Sequence, residues 1–480
     1  VNRRPKRFDT NLIVIGAGSA GLIAALIAAT VKAKVTLIER NKMGGDCLNT
    51  GCVPSKTLIR SAKIAHYIKD AERYGLRGVT GTVDFAAVMQ RVRDAIATIE
   101  PNDSIERYTA LGVDCVTGSA TIVDPWTVDV DGRRITAPNI VIATGATPFV
   151  PPIPGIGEVD VLTSDDVWTL HELPKRLLIM GAGPIGCELA QSFGRLGSSV
   201  TLIDMAERIL PKDDADAAAL VTDVLRGEGV DVRVRCRAER FDAARGILVA
   251  DEGGAKVDIP FDRVLVAVGR RAHTESLGID ALGVAVNRDG TVVVDDYLRS
   301  TVPNIFACGD VVGPYQFTHM ASHQAWYAAV NALFGRVRKF KVNYSVVPWA
   351  TYTDPEVARV GLTDEEAKAR GVDVEVTRHD LEHVDRAIAD GETRGFIKVL
   401  TKRGSDRVVG VTIVAPQAGE LIAEYVLGMT HGLGLRKLMG TIHIYPTNAE
   451  INKFAANGWR RNHAPTGLLK FAERYHALWR

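Results

Sequence analysis

The chain has 480 residues, 46% hydrophobic and 24% charged, and its 58 Lys and Arg offset 57 Asp and Glu to a formal net charge of +1. That composition excludes a disordered chain, a collagen or coiled-coil rod, and a nucleic-acid-binding surface spread over the whole molecule. At about 150 residues per domain the length predicts roughly three domains.

Asn11 to Ile15 reads as a buried strand running into the turn Gly16-Ala17-Gly18-Ser19-Ala20-Gly21. An alanine-rich helix and a second strand from Val35 to Glu39 follow. This opening run meets a glycine turn rather than a cleavage site, and no stretch reaches the ~18 apolar residues of a membrane span. A cytoplasmic compartment without an export leader is therefore expected, where six cysteines are too few for a disulfide scaffold. In such a strand–turn–helix–strand unit the first glycine permits a tight turn, the second admits a pyrophosphate, and the third lets helix and strand pack closely. The helix N-terminus favours phosphate, and the terminal acid accepts hydrogen bonds from a ribose.

Next comes GGDCLNTGCVPSK over 44–56, with Cys47 and Cys52 close together and a helix expected to begin near Pro54. Zinc is a poor reading, since structural sites usually combine two ligand pairs and no second cysteine pair exists. A thiolate near a helix N-terminus is stabilised there, which favours a redox-active pair over two packing cysteines. Residues 84–111 predict one long helix with Val88, Val92, Ile96 and Ile99 along a face. The proline-rich stretch from Pro148 to Gly155 reads as a linker. The opening design then repeats, with strand Arg176 to Met180, Gly181, Gly183, Gly186, a helix, and a strand from Val200 to Asp204. Two copies imply two dinucleotides. Strand-like runs at 264–268 and 291–294 close the middle of the chain. Strands at 396–400 and 408–415 and a helix near 419–432 make a third, α+β domain.

With its Ala143-Thr144-Gly145 step and the run TVPNIFACGD over 301–310, the cysteine motif resembles the class I pyridine nucleotide–disulfide oxidoreductase family. The resemblance covers essentially the whole chain and is nearest to mercuric-reductase-like and dihydrolipoamide dehydrogenase-like flavoproteins. It implies an α/β fold with two Rossmann-like dinucleotide-binding domains, for FAD and NAD(P), and a C-terminal α+β dimerisation domain. The expected boundaries are 1–150 and 273–345 for the FAD domain, 151–272 for the NAD(P) domain, and 346–480 for the dimerisation domain with its basic tail. FAD would rest on Gly16, Gly18, Ser19, Gly21, Glu39, Arg40, Gly45, Thr144, Gly145, Gly309 and Asp310, with Thr318 and His319 near the flavin edge. The nicotinamide nucleotide would rest on Gly181, Gly183, Gly186 and Asp204, with Gly269 and Arg270 as further cofactor contacts. Cys52 would be the flavin-facing thiol, Cys47 the interchange thiol, and Lys56 with Glu188 an ion pair beside the reacting rings. Cys187 and Cys308 read as packing residues. A homodimer with active sites shared between subunits is implied, with no resident metal.

The C-terminal motif departs from the family. Lipoamide- and glutathione-reducing relatives carry a histidine just before Pro-Thr and a glutamate five positions later, as an acid/base pair. Here the segment is His443-Ile444-Tyr445-Pro446-Thr447 with Glu450 in place, so Tyr445 occupies the histidine position and His443 lies two residues earlier. A phenol of pKa ~10 is a poor base at neutral pH, whereas an imidazole near ~6.5 is suited to it. His443 shares a face with Tyr445 only if the segment is extended. The leading expectation is an FAD-dependent NAD(P)H oxidoreductase passing electrons to a Cys47–Cys52 disulfide and on to a metal ion such as Hg2+, a quinone or a disulfide. Yet Cys308 is the last cysteine in the sequence, and no metal-binding domain is expected before Asn11, so an enzyme without dedicated mercury delivery parts is expected. The alternatives are a dihydrolipoamide dehydrogenase using His443 as base, and a non-catalytic redox sensor. Asp204, with no arginine before Arg208, favours NADH over NADPH. From Trp459 onward the tail carries Arg460, Arg461, Lys470, Arg474 and Arg480 against Glu473, with Leu468, Phe471, Tyr475 and Trp479 at helical spacing. Packing on its own protein or across the dimer is the expected use of that stripe, and contact with a membrane or acidic partner is the alternative.

Overall fold

The structure is a computed structural model and describes residues 4–480. The chain forms two compact units. One runs to Glu207 and resumes over Glu228–Asn343, and the other joins Arg208–Gly227 to Tyr344–Arg480.

In the first unit, Leu12–Ile15 lies at the centre of a five-stranded parallel sheet, between Val35–Glu39 and Ile140–Ile142. Val113–Thr117 and Ile305–Ala307 form its edges. Strands covered on both faces read as unbroken apolar runs, and Leu12, Ile13, Val14, Ile140, Val141 and Ile142 are accordingly buried. Helix Ser19–Thr30 packs against helix Thr318–Phe334 through alanine-rich surfaces. A second five-stranded parallel sheet repeats the plan, with Arg176–Met180 between Ser199–Ile203 and Arg263–Val266 and with Asp231–Arg233 and Val161–Leu162 outside. The sequence repeat is thus a structural repeat. Each sheet carries a three-stranded antiparallel companion, Ala120–Asp124 to Arg133–Thr136 in one case and Cys236–Asp242 to Ala255–Pro260 in the other.

Two local expectations change. Residues 84–111 do not form one helix: Phe85–Ile99 gives way to a 3-10 turn, Glu100–Asp103, and then Ile105–Ala110. Pro101 offers no N–H to continue the ladder, and Ser104 caps the new helix by accepting from Arg107 N at 3.2 Å. The buried face is Phe85, Met89 and Val92, while Ile99 is exposed. Residues 291–294 form only an isolated bridge, Val286 to Val292, and Ile305–Ala307 supplies the closing strand.

The second unit is a five-stranded antiparallel sheet in the order Pro348–Thr351, Glu356–Gly361, Val408–Ala415, Phe396–Lys402, Val374–Asp380. Helices Ala423–Thr430, Leu435–Met439 and Glu450–Asn462 belong to it, and Tyr425, Leu435, Ile451, Ala455 and Trp459 share one core with Ile397, Val411 and Ile413. Arg208–Gly227 joins this unit through polar anchors. Lys398 Nζ reaches Asp214 Oδ1 at 2.9 Å and Asp216 Oδ2 at 2.7 Å, Trp349 Nε1 donates to Asp213 Oδ1 at 2.9 Å, and Arg359 donates to Lys212 O.

Candidate active site

The two glycine turns are built alike because the backbone leaves no room for anything else. A Cβ on Gly21 would lie 1.7 Å from Gly16 O, and one on Gly186 would lie 1.8 Å from Gly181 O. Gly16 and Gly181 sit at φ +99° and +100°, where L side chains are strained. The acids that close the units brace their own turns. Glu39 Oε2 accepts from Ala17 N at 2.7 Å and Oε1 from Asn41 N at 2.8 Å, while Asp204 Oδ2 accepts from Ala182 N at 2.7 Å and Oδ1 from Ala206 N at 2.8 Å.

These cradles suit dinucleotides. A Cβ on Gly145, Gly183 or Gly269 would meet nothing within 4 Å, so each backbone borders open space that a ligand can approach closely. Gly45 lies against Gly18, where a Cβ would come within 2.6 Å of Gly18 Cα, so the cysteine motif sits directly on the first turn. FAD in the first cradle would face Gly16, Gly18, Ser19, Glu39, Gly45 and Asp310. Burial raises the Asp310 carboxyl to about 6, and Gly309 N donates to Gln324 Oε1 at 2.7 Å. Thr144 Oγ1 donates to His273 O at 2.7 Å, and Arg40 contacts the His273 ring. Burial, then Arg40, lower the pKa of His273. Arg270, by contrast, is held by protein: its guanidinium pairs with Asp46, donates to Ala146 O at 2.6 Å and lies 3.9 Å from Asp165. Only its buried Nε lacks a hydrogen-bond partner.

Helix Cys52–Lys69 begins at the second thiol, two residues earlier than expected, so Cys52 occupies the first helical position. Cys47 and Cys52 stand as free thiols, Cys47 half-buried and Cys52 exposed. Cys52 Sγ is 3.4 Å from Thr318 Oγ1. A hydrogen bond from Cys47 lowers the Cys52 pKa to about 6, helped by Thr318 and the Lys56 charge. The same Cys52 interaction and burial push the Cys47 thiol up. The pair thus favours a thiolate at Cys52 over one at Cys47. Lys56 Nζ bonds Glu188 Oε2 at 2.9 Å, with the Glu188 side chain buried, so the expected ion pair is formed. His319 stacks on Phe317 with centroids 5.3 Å apart, immediately after Thr318. Cys187 and Cys308 are buried, as packing residues should be.

Sequence reasoning missed the residues that hold this loop from a distance. Trp168 Nε1 donates to Thr50 O at 2.8 Å, and Asp46 and Asp165 flank Arg270. Asp46 lies inside the motif and carried a signal; Asp165 and Trp168 lie far away in sequence and carried none.

In the second unit, the segment after Thr441 is not helical, so helix geometry does not keep His443 and Tyr445 on different faces. They nevertheless point apart. The His443 side chain is only 6% exposed, its Nε2 3.0 Å from Glu424 Oε1 and its Nδ1 3.1 Å from Thr441 O. Tyr445 is 67% exposed and donates to Asp385 Oδ2 at 3.0 Å, which raises its pKa further. Glu450 is buried at the start of its helix and accepts from Thr447 N at 3.4 Å.

Two glycine cradles, an unequal thiol pair and a Lys–Glu ion pair define a two-nucleotide disulfide oxidoreductase. Residues 10–325 match the pyridine nucleotide-disulphide oxidoreductase family and residues 347–456 match its dimerisation domain. The chain belongs to that family, whose enzymes depend on FAD and NAD(P)H. It is 37% identical to a mercuric reductase of Bacillus cereus over 93% of this chain and 71% of that protein. It is also 37% identical to a dihydrolipoyl dehydrogenase of Thermus scotoductus over 98% of each. The solved structure of the HOCl-induced flavoprotein disulfide reductase RclA from Escherichia coli superposes with a TM-score of 0.83 at 30% identity, covering 93% of this chain and 99% of that one.

Proposed function

We propose that the protein uses NADH to reduce a Cys47–Cys52 disulfide and passes the two electrons to an acceptor other than lipoamide: a soft metal ion such as Hg2+, a quinone or another disulfide. The observation that carries this reading is Tyr445. The phenol stands where lipoamide- and glutathione-reducing relatives place their base, and it spends its proton on Asp385. Similarity to mercuric reductases supports a metal acceptor, because paired thiolates select soft metals.

Bound FAD supplies the two-electron relay between nicotinamide and sulfur. The protein supplies position and field. Opening the disulfide takes two electrons and one proton and leaves a Cys52 thiolate and a Cys47 thiol; transfer of both electrons to the acceptor recloses the bond and releases the Cys47 proton to the acceptor or solvent. Lys56, steadied by Glu188, keeps a positive charge beside the Cys52 sulfur. NADH is favoured because Asp204 repels a 2′-phosphate. The nearby arginines are already paired, Arg235 with Glu207 at 2.9 Å and Arg208 with Glu365 at 2.6 Å.

A second reading, a dihydrolipoamide dehydrogenase, is favoured by one feature: His443 and Glu424 form a histidine–carboxylate pair. Consumption of NADH and NADPH measured against Hg2+, Cu2+, a quinone, lipoamide and glutathione disulfide separates the two. The expected result is that a metal ion or quinone outpaces lipoamide by about a hundredfold or more, the margin a missing general base allows. Lipoamide as the fastest acceptor would replace this reading by the second.

A further inference from the structure

We infer that helix Thr466–Ala477, with the Leu478-Trp479 turn that ends it, docks the enzyme on an anionic lipid surface. Helix Thr466–Ala477 buries none of its residues within the single chain, so of the two expected packings, on its own protein or across the dimer, the first is not formed. Leu468, Phe471, Tyr475, Leu478 and Trp479 are 63%, 66%, 50%, 82% and 77% exposed. At helical spacing these five and Ala472 fall on roughly a third of the circumference, while Lys470 and Glu473 lie opposite and Arg474 and His476 flank the apolar arc. Leu469 alone among the large apolar residues sits off the arc.

The helix is presented from a fixed base. Trp459 is buried in the core of the second unit, His463 Nδ1 lies 2.9 Å from Trp459 O, and His463 Nε2 pairs with Glu375 at 2.8 Å. Pro465 then starts a new helix. Arg460 and Arg461, exposed at the end of the preceding helix, extend the basic surface to the anchor. Leucine with aromatic residues on one face and Lys and Arg on the other is the chemistry of a helix lying in the headgroup layer. Charge selects the occupant: Arg460, Arg461, Lys470, Arg474 and Arg480 stand against Glu473 alone, an excess of cations that anionic headgroups neutralise. Among the described residues no helix is long and apolar enough to cross a membrane, so the contact is superficial.

The test is flotation of the full-length FAD-loaded enzyme with vesicles of roughly one-third phosphatidylglycerol in phosphatidylcholine, beside pure phosphatidylcholine. Binding is expected only to the anionic vesicles and is expected to fall as salt rises. The triple substitution Lys470→Gln, Arg474→Gln, Arg480→Gln should weaken it about a hundredfold, at roughly fivefold per charge near the surface. Phe471→Ser with Trp479→Ser should weaken it about tenfold or more. Both variants should keep wild-type NADH consumption with a soluble quinone, which shows that they are folded. Equal binding to both vesicles, no binding to either, or undiminished binding of the variants would overturn the inference. So would conversion of a dimer to monomers by Phe471→Ser with Trp479→Ser, which would make the helix a contact between copies.

Discussion

Cys47 and Cys52 carry the same functional group and end with opposite proton affinities. The difference arises from one hydrogen bond, from Cys47 to the Cys52 sulfur, reinforced by Thr318 and by the cation at Lys56. A thiolate titrates with a definite sign: it is present above its pKa and lost as pH falls through it. In the two-electron-reduced, FAD-loaded enzyme, the long-wavelength absorbance of the Cys52 thiolate against flavin should therefore persist at neutral pH and fade as pH falls through about 6. Cys52→Ser should abolish that band at every pH, and Cys47→Ser should display it without reductant. Lys56→Met should move the fade to higher pH, because the positive charge that favours the thiolate is gone. An unmoved midpoint in Lys56→Met would show that Lys56 does not hold the thiolate.

The βαβ units were legible because their physics is local. Glycines with no room for a Cβ, an apolar strand on each side and an acid at the same interval settle the turn, the helix entry and the brace from the acid to the turn together. The second unit carries a prediction of its own: kcat/KM with NADH should exceed that with NADPH, and comparable values would remove Asp204 as the discriminating group. What the sequence left hidden depends on contacts between distant positions. The helix break at Pro101 had a local signal that the 3.6-residue apolar spacing masked. The docking of Arg208–Gly227 onto the C-terminal sheet had none, since Asp214 and Lys398 read as ordinary charges until the fold buries them, with side chains 0% and 5% exposed. Removing one member of a buried ion pair leaves the other uncompensated and typically costs ~3–5 kcal/mol. Lys398→Met, which strands Asp214, should therefore lower the denaturation midpoint well below that of Asp216→Asn, whose carboxylate is half-exposed. Similar midpoints would mean that the buried pair adds little.

At the scale of the whole molecule, the dimerisation domain makes a twofold homodimer the expected assembly. The single chain leaves Ile442 and Ile444 94% and 77% exposed beside Tyr445, an apolar run of the kind that association covers. Ile442→Lys with Ile444→Lys should shift the mass measured by light scattering from dimer towards monomer, and an intact dimer would place the contact elsewhere. The same segment holds the two candidate proton acceptors, His443 turned in upon Glu424 and Tyr445 turned out upon Asp385. The choice of acceptor rests on that reversal, so Tyr445→His is the decisive substitution, with Glu450 already in place. Steady-state lipoamide turnover, measured beside the rate of flavin reduction by NADH, should rise about a hundredfold or more in Tyr445→His while flavin reduction stays unchanged. Wild-type protein that already turns over lipoamide as fast as the variant, and loses that activity in His443→Gln, would contradict the account and make the protein a dihydrolipoamide dehydrogenase.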